Sequence, residues 1–353
     1  MYNSNSNQSL GNNKMAANPY PALLILLLII HTDLARADWQ PVLTLSTAIE
    51  NLSPIDNRTA WIMTSDHKIK ITQDQGLNWS SARIKGLDSN SNLQQLVALT
   101  PQQALLAAYT YHNDTNSFTS HIYKTQDGGK HWRKVFSLNH LCLFQMAMSN
   151  SKAGVMTVNI EPFSNSTNSG HRLLKTLDTG ETWREDTLTD PSDDFYIQDI
   201  FVKNQQLWLY SDNNIYYSSD FGQHWQHEAS PSEDGRSQFM QFQNSERGIF
   251  NATALIDLYR KTETGGWQHI GQPPGSNPLG GAVTALVTNG NECWLTEALD
   301  SLDNYYSNDY CASFKPFRVD KTQAFLEIKQ PRLGNILWAR TQKRVFIHKI
   351  HRH

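Results

Sequence analysis

Thr125-Gln126-Asp127-Gly128-Gly129-Lys130-His131-Trp132 reads Thr-x-Asp-x-Gly-x-x-Trp. The same spelling recurs at Thr72-x-Asp74-x-Gly76-x-x-Trp79 and Thr176-x-Asp178-x-Gly180-x-x-Trp183, and with Ser for Thr at Ser218-x-Asp220-x-Gly222-x-x-Trp225. Recurrence of one internal spacing along the chain is the mark of a repeat architecture. Two degenerate copies follow: Lys261-Thr-Glu-Thr-Gly-Gly-Trp267 is one residue short, and Ser307-x-Asp309-x-Cys311-x-x-Phe314 keeps the spacing but replaces Gly and Trp.

Each copy joins two segments of alternating polarity, such as Lys68 to Thr72 before the first and a segment opening at Trp79 after it. Period-2 patterning on both sides of a Gly-bearing turn predicts a β-hairpin. The Asp carboxylate can accept backbone N–H groups inside the turn, the Gly supplies a positive φ, and the Ser/Thr hydroxyl adds a local bond. The Trp is then free to pack between neighbouring sheets. Outward from the second copy, four strands are expected at about Gln94 to Thr100, Ala104 to Tyr111, His121 to Gln126 and His131 to Leu138. Labelled a to d, with the box at the c to d turn, four short antiparallel strands per repeat predict an all-β fold, a β-propeller of four-stranded blades.

The chain ends set the blade number. Trp39 opens Trp39 to Leu45, which reads as a d strand without a, b and c. Ala324 to Lys329, Asn335 to Thr341 and Arg344 to Ile350 read as a, b and c without a d. Pairing them removes two exposed sheet edges and gives seven blades, with the N-terminal strand closing the last. Without that pairing the ring would have six. The d strands then open at Trp39, Trp79, Trp132, Trp183, Trp225, Trp267 and Phe314, and the other four tryptophans, Trp61, Trp208, Trp294 and Trp338, fall in b strands as core aromatics.

Strand b begins and strand c ends on the same face of a blade. In the sixth blade, where the box has lost its Gly, Cys293 starts b and Cys311 follows c, so a Cys293–Cys311 disulfide is expected to replace part of the staple. Cys142 is left as a buried free thiol. With three cysteines at these spacings the chain is neither a disulfide scaffold nor a zinc-finger type.

The 353 residues carry a formal net charge of -3, which argues against nucleic acid or an anionic membrane as the main partner. Lys14, the apolar run Ala22 to Ile30 and Ala35-Arg36-Ala37 stand in the order of a secretory signal peptide cleaved after Ala37. The run is too short to span a bilayer. The expected organisation is therefore a signal peptide over residues 1–37 and a single propeller domain over 38–353, periplasmic or secreted, with no integral membrane segment after cleavage.

The b-strand Trp61 followed by the box ending at Trp79 resembles the repeat of the photosystem II assembly factor family (Ycf48/HCF136-like). That resemblance implies a seven-bladed, non-enzymatic, exported assembly protein. The family's Gly before the b-strand Trp is replaced by Ala60, and its Gly-rich continuation by Ile62-Met63. More distantly, the Asp-box (BNR) repeat is similar to that of the sialidase superfamily, whose chemistry needs three arginines, a Tyr nucleophile with a Glu, and an Asp acid. The Arg-Ile-Pro motif of that family is absent, the nearby arginines being Arg58 and Arg83; Arg172, Arg236, Arg247 and Arg340 remain as candidates to converge in the ring.

Ligands of propellers usually meet the face made by the b to c and d to a loops, or the central channel. The acidic residues of the long loops on that face are Asp190, Asp193, Asp194, Glu233, Asp234, Asp300 and Asp303. A pair of them could serve as acid and base in glycoside hydrolysis or bind a hard cation, although acidic residues in Pro/Ser/Gly loops are ordinarily solvated turn formers. His348, His351 and His353 read as a polar tail. There is no His-Glu-x-x-His, no Gly-x-Ser-x-Gly and no phosphate loop, so no catalytic or cofactor signature. The expected function is an exported, non-catalytic scaffold or assembly factor that binds a protein partner or a glycan in the cell envelope. The alternative is a sialidase-like glycoside hydrolase.

Overall fold

In a computed structural model of the protein, the alternating segments pair into seven four-stranded antiparallel sheets arranged as the blades of a propeller. The structure describes residues 39–88, 90–115, 117–139, 141–160, 171–186, 197–211, 213–232, 237–252, 256–276, 282–298, 302–319 and 322–350, and contains no helix among them. The second blade shows the common pattern, with a to d at Ser91–Ala98, Ala104–His112, Ser117–Thr125 and Arg133–Asn139.

The last blade is built from both ends of the chain. Gln40–Thr44 pairs antiparallel with Arg344–Lys349, in the register Gln40 to Ile347 and Thr44 to Arg344, and Ile336–Arg340 and Glu327–Lys329 complete the sheet. The a strand is shorter than the expected Ala324 to Lys329. The N–H of Phe325 is drawn instead to Oδ1 of Asn304 in the preceding blade at 2.9 Å, and Ala324 and Phe325 are buried there rather than paired in the sheet.

The core lies between blades. Trp61, Trp208, Trp294 and Trp338 are fully buried in their b strands. Each shares an apolar cluster with the tryptophan that opens the d strand of the next blade: Trp61 with Trp132, Trp208 with Trp267, Trp294 with Trp39, and Trp338 with Trp79. Burying a large aromatic between adjacent sheets stabilises the blade-to-blade contact by on the order of 2 kcal/mol or more per side chain.

Around the channel, polar side chains tie the a strands of blades 2 to 5 in succession. Gln95 accepts the N–H of Met146 at 2.9 Å and donates to its carbonyl at 2.8 Å, and Gln145 does the same to Ile200 at 3.3 and 3.2 Å. One blade further on, Asp199 accepts the N–H of Met240 at 2.9 Å. All three clamps stand immediately after a β-bulge in the a strand, the irregularity that re-aims a side chain.

Candidate functional site

The repeated turns show how the sequence motif is built. In blade 1, Oδ1 of Asp74 accepts the N–H of Asn78 at 2.9 Å and the hydroxyl of Thr72 at 2.8 Å, and the Thr72 oxygen accepts the N–H of Gly76 at 2.9 Å. Asp127, Asp178, Asp220 and Asp309 repeat the pattern at Thr125/Gly129, Thr176/Gly180, Ser218/Gly222 and Ser307/Cys311. The residue before the glycine and the glycine itself both take positive φ, 63° at Gln75 and 85° at Gly76, so the glycine removes a strain that a side chain would carry. The indole N–H groups of Trp79 and Trp132 donate back to the carbonyls of Gly76 and Gly129 at 3.0 Å. Burial works against ionisation of Asp127, but the backbone N–H and imidazole of His131 and the Thr125 hydroxyl hold its carboxyl down at about 2. These carboxylates are acceptors inside turns.

Blade 6 carries the departures. Cys311 stands at the glycine position with φ 59°, and it is disulfide-bonded to Cys293. In blade 5 the shortened copy forms a different turn, closed by Thr262 N–H on the Gly266 carbonyl at 2.7 Å.

The Asp turns share a face with the a to b turns. In five blades the residue before the glycine position, or Gly128 in blade 2, donates its N–H to a carbonyl of the a to b turn of its own blade: Gln75 to Arg58, Gly128 to Gln102, Thr179 to Lys152, Phe221 to Gln205 and Tyr310 to Asn291. On this face the carboxyl ends of the a strands of six blades surround a cavity of about 310 Å³ at the mouth of the central channel. Ser53, Met148, Phe201 and Thr288 form walls, and Lys203, Lys329 and Arg332 supply the charge. No Asp or Glu lines it among the described residues.

The three cations differ in their partners. Lys329 donates to the carbonyl of Leu52 at 2.7 Å and pairs with Glu327 at 3.1 Å. Arg332 reaches across to blade 2 and donates to the carbonyl of Leu99 at 2.9 Å. Burial pushes the Lys203 ammonium below the ordinary lysine value. A mouth with two cations that form no ion pair among the described residues is an anion-accepting site by its chemistry.

Of the acidic loop residues, Asp303 is described: its carboxylate is paired with Arg318 in the same blade, at 3.1 Å to one guanidinium nitrogen. Asp190, Asp193, Asp194, Glu233, Asp234 and Asp300 lie outside the described residues, as do His351, His353, Arg236 and residues 1–38. The remaining candidate arginines are dispersed and separately engaged. Arg172 in blade 3 pairs with Glu185 at 3.0 Å, Arg247 in blade 5 lies 4.2 Å over the Tyr310 ring, and Arg340 is buried against Glu327 in blade 7. His348, expected in a polar tail, is instead buried and stacked on Trp39 with 5.0 Å between ring centroids. Cys142 lies in the a strand Leu141–Met148. Among the described residues there is no cluster of three or more His, Cys, Asp or Glu able to hold a metal ion, and no helix long and apolar enough to cross a membrane. The mouth cations were missed by sequence reasoning. Their only sequence signal is a basic residue at or just after the end of an a strand, and convergence on the axis appears only once the ring is closed.

A sequence model of the Sortilin-Vps10 family, described as sortilin, neurotensin receptor 3, matches residues 37–178. Curated protein sequences contain no match to the chain. Among solved structures, YCF48 bound to D1 peptide superposes with a TM-score of 0.64 at 14% identity, over 89% of this chain and 96% of that one. YCF48 from Cyanidioschyzon merolae gives 0.62 at 13% identity, over 88% and 99%. The GH74 xyloglucanase from Xanthomonas campestris gives 0.62 at 14% identity over 89% of this chain, which spans 54% of that enzyme. The resemblance to Ycf48-like propellers read from the repeats is thus met in the fold. Fold likeness at this identity carries no activity with it.

Proposed function

We propose that the chain is an exported, non-catalytic Asp-box propeller that acts as a scaffold or assembly factor, holding a protein partner against the face of the Asp turns with an anionic segment of that partner seated in the channel mouth. The observation that carries this reading is the cavity itself, which is lined by Lys203, Lys329 and Arg332 and, among the described residues, by no carboxylate. Leu77, Leu177 and Leu333 add apolar contacts on the same face, being 81%, 71% and 70% exposed in its turns. Exposed leucines on the face that carries the cationic centre suit a protein partner. The structure of YCF48 with D1 peptide is a precedent for peptide binding on this fold.

Export to a periplasm or beyond the cell is supported by the order Lys14, Ala22 to Ile30, Ala37 and by the Cys293–Cys311 disulfide, which an oxidising compartment favours. Pull-down from the envelope fraction tests the reading. The wild-type chain recovers one stoichiometric partner, and the doubly reversed Lys203→Glu/Arg332→Glu chain loses it. Retention of the partner by that variant would overturn the assignment of the mouth, and hydrolysis of a fluorogenic glycoside by the pure wild-type protein would overturn the non-catalytic reading.

A further inference from the structure

The shortened turn of blade 5 has a consequence for its neighbour. In blades 1, 2, 3, 4 and 6 the c to d connections are residues 73–79, 126–132, 177–183, 219–225 and 308–314, whereas in blade 5 the connection is only 262–266. The longer turn also fills space on the preceding blade, because its glycine is pressed against that blade's side chains. A methyl group built on Gly129 would stand 3.4 Å from both Trp61 and Ile69 of blade 1, and one on Gly180 would stand 2.7 Å from Leu105 of blade 2. One built on Gly265 of blade 5 would meet nothing within 4 Å.

The places of Trp61 and Ile69 are taken in blade 4 by Trp208 and Ile215. Trp208 faces Tyr217 across the b to c pair as Trp61 faces Ile71. Trp208 and Ile215 stay buried, Phe242 of blade 5 being stacked on the indole with centroids 4.9 Å apart, and they border a pocket of about 250 Å³ walled also by Tyr217, Gln226, His227 and Glu228 of blade 4 and by Ser245 and Lys261 of blade 5.

The walls of this space have a definite chemistry. Tyr217 presents a half-buried ring beside Trp208, the two tilted at 37° with centroids 5.1 Å apart. Gln226 and Ser245 are exposed and supply an amide and a hydroxyl. Lys261 donates to both oxygens of Glu228, at 2.8 and 3.0 Å, so the charges cancel within the wall while leaving further acceptor capacity on the carboxylate. An aromatic face ringed by an amide, a hydroxyl, the His227 imidazole and an ion pair neutralised within the wall suits a polyhydroxylated ring better than an ion.

We propose that the pocket between blades 4 and 5, opened by the shortened turn, is a subsite for a neutral pyranose, its C–H face against Tyr217 and its hydroxyls bonded to Gln226, Ser245 and the Glu228–Lys261 pair. This site is separate from the channel mouth and does not depend on the partner assigned there. Saturation-transfer NMR of the exported chain (from residue 38) with methyl α-glucopyranoside, β-galactopyranoside, α-mannopyranoside and β-N-acetylglucosaminide reads it directly. Transfer to at least one of the four is expected. It is lost in Ser245→Trp, which fills the pocket from an exposed turn, and in a chain whose residues 262–266 are replaced by the sequence of 126–132. Gln226→Ala weakens binding about tenfold, the loss of one well-placed hydrogen bond. Lys203→Glu leaves sugar binding unchanged, which separates this site from the mouth. Absence of transfer to all four sugars from folded protein, or undiminished transfer in folded Ser245→Trp, would overturn the proposal.

Discussion

The backbone N–H of Leu52 donates to Oε2 of Glu327 at 3.1 Å, joining residues 275 apart in sequence across the seam between the first and last blades. The same carboxylate pairs with Lys329 at 3.1 Å and with Nε of Arg340, whose other nitrogens donate to the carbonyls of Ile49 at 2.7 Å and Glu50 at 2.9 Å. Burial opposes ionisation of Glu327, yet Lys329 and Arg340 hold its carboxyl below the ordinary value.

Removal of that carboxylate leaves Arg340 buried without its counter-ion. Glu327→Ala is expected to destabilise the chain by about 3–5 kcal/mol, the usual result of breaking a buried pair from one side. Chemical denaturation measures it. The exposed Lys68–Asp66 pair is the control, and Lys68→Ala is expected to cost about 1 kcal/mol or less.

Asp199 gives the opposite pH dependence. Burial pushes its carboxyl up to about 7, against the lowering effect of the N–H groups of Met240 and Ile200 and the side chain of Gln145. Between an unfolded value of about 3.9 and that folded value, the folded chain keeps a proton that the unfolded chain releases. This contribution to stability is therefore full below the ordinary carboxylate range and is lost as pH rises to about 7, on the order of 4 kcal/mol in all. Asp199→Asn keeps the acceptor for Met240 and is expected to flatten the change in denaturation midpoint between about pH 5 and about pH 8 relative to wild type.

The sixth blade exchanges a glycine for a cross-link. The Cys293–Cys311 bond closes a sequence separation of 18 residues, so its loss in Cys293→Ala/Cys311→Ala is expected to cost about 3 kcal/mol. Cys311 has φ 59°, where glycine carries no penalty. Cys293→Ala/Cys311→Gly is accordingly expected to recover about 1 kcal/mol of that loss, read as a higher thermal midpoint than the double alanine variant.

Closure by the N-terminal strand is testable in trans. Trp39 packs 4.7 Å from the Phe325 ring and belongs to the cluster of Trp294 and Phe346. A chain beginning at Ser46 loses that side chain and exposes the edge of Arg344–Lys349. It is expected to lose its cooperative thermal transition, and a synthetic peptide of residues 38–46 is expected to restore it.

Much of this architecture was legible because it is written at fixed spacing. The Thr-x-Asp-x-Gly-x-x-Trp turns, the tryptophans of the b and d strands, the split last blade and the cysteine pair in the blade lacking a box glycine each follow from short-range chemistry repeated in register. Features that depend on neighbouring blades were not legible. The short a strand at Glu327–Lys329 reflects the competing bond from Asn304 in blade 6, and Lys203 and Arg332 meet only through closure of the ring. The missing residue between Lys261 and Trp267 was visible in the sequence, but its result lies on blade 4. The acidic loops drew attention to the other face through residue type alone, and the one described member, Asp303, is occupied by Arg318.

The central claim, that a protein partner is held at the channel mouth on the face of the Asp turns, is tested most directly by site-specific photo-crosslinking in the cell envelope. One photoreactive residue replaces Gln330 at the mouth, and in a second chain one replaces Tyr111, near the tip of the Ala104–His112 hairpin on the opposite face. The predicted result is a single partner adduct from position 330 that disappears with Lys203→Glu/Arg332→Glu, and none from position 111. An adduct from position 111 alone, or one from 330 that survives the charge reversal, would contradict the account.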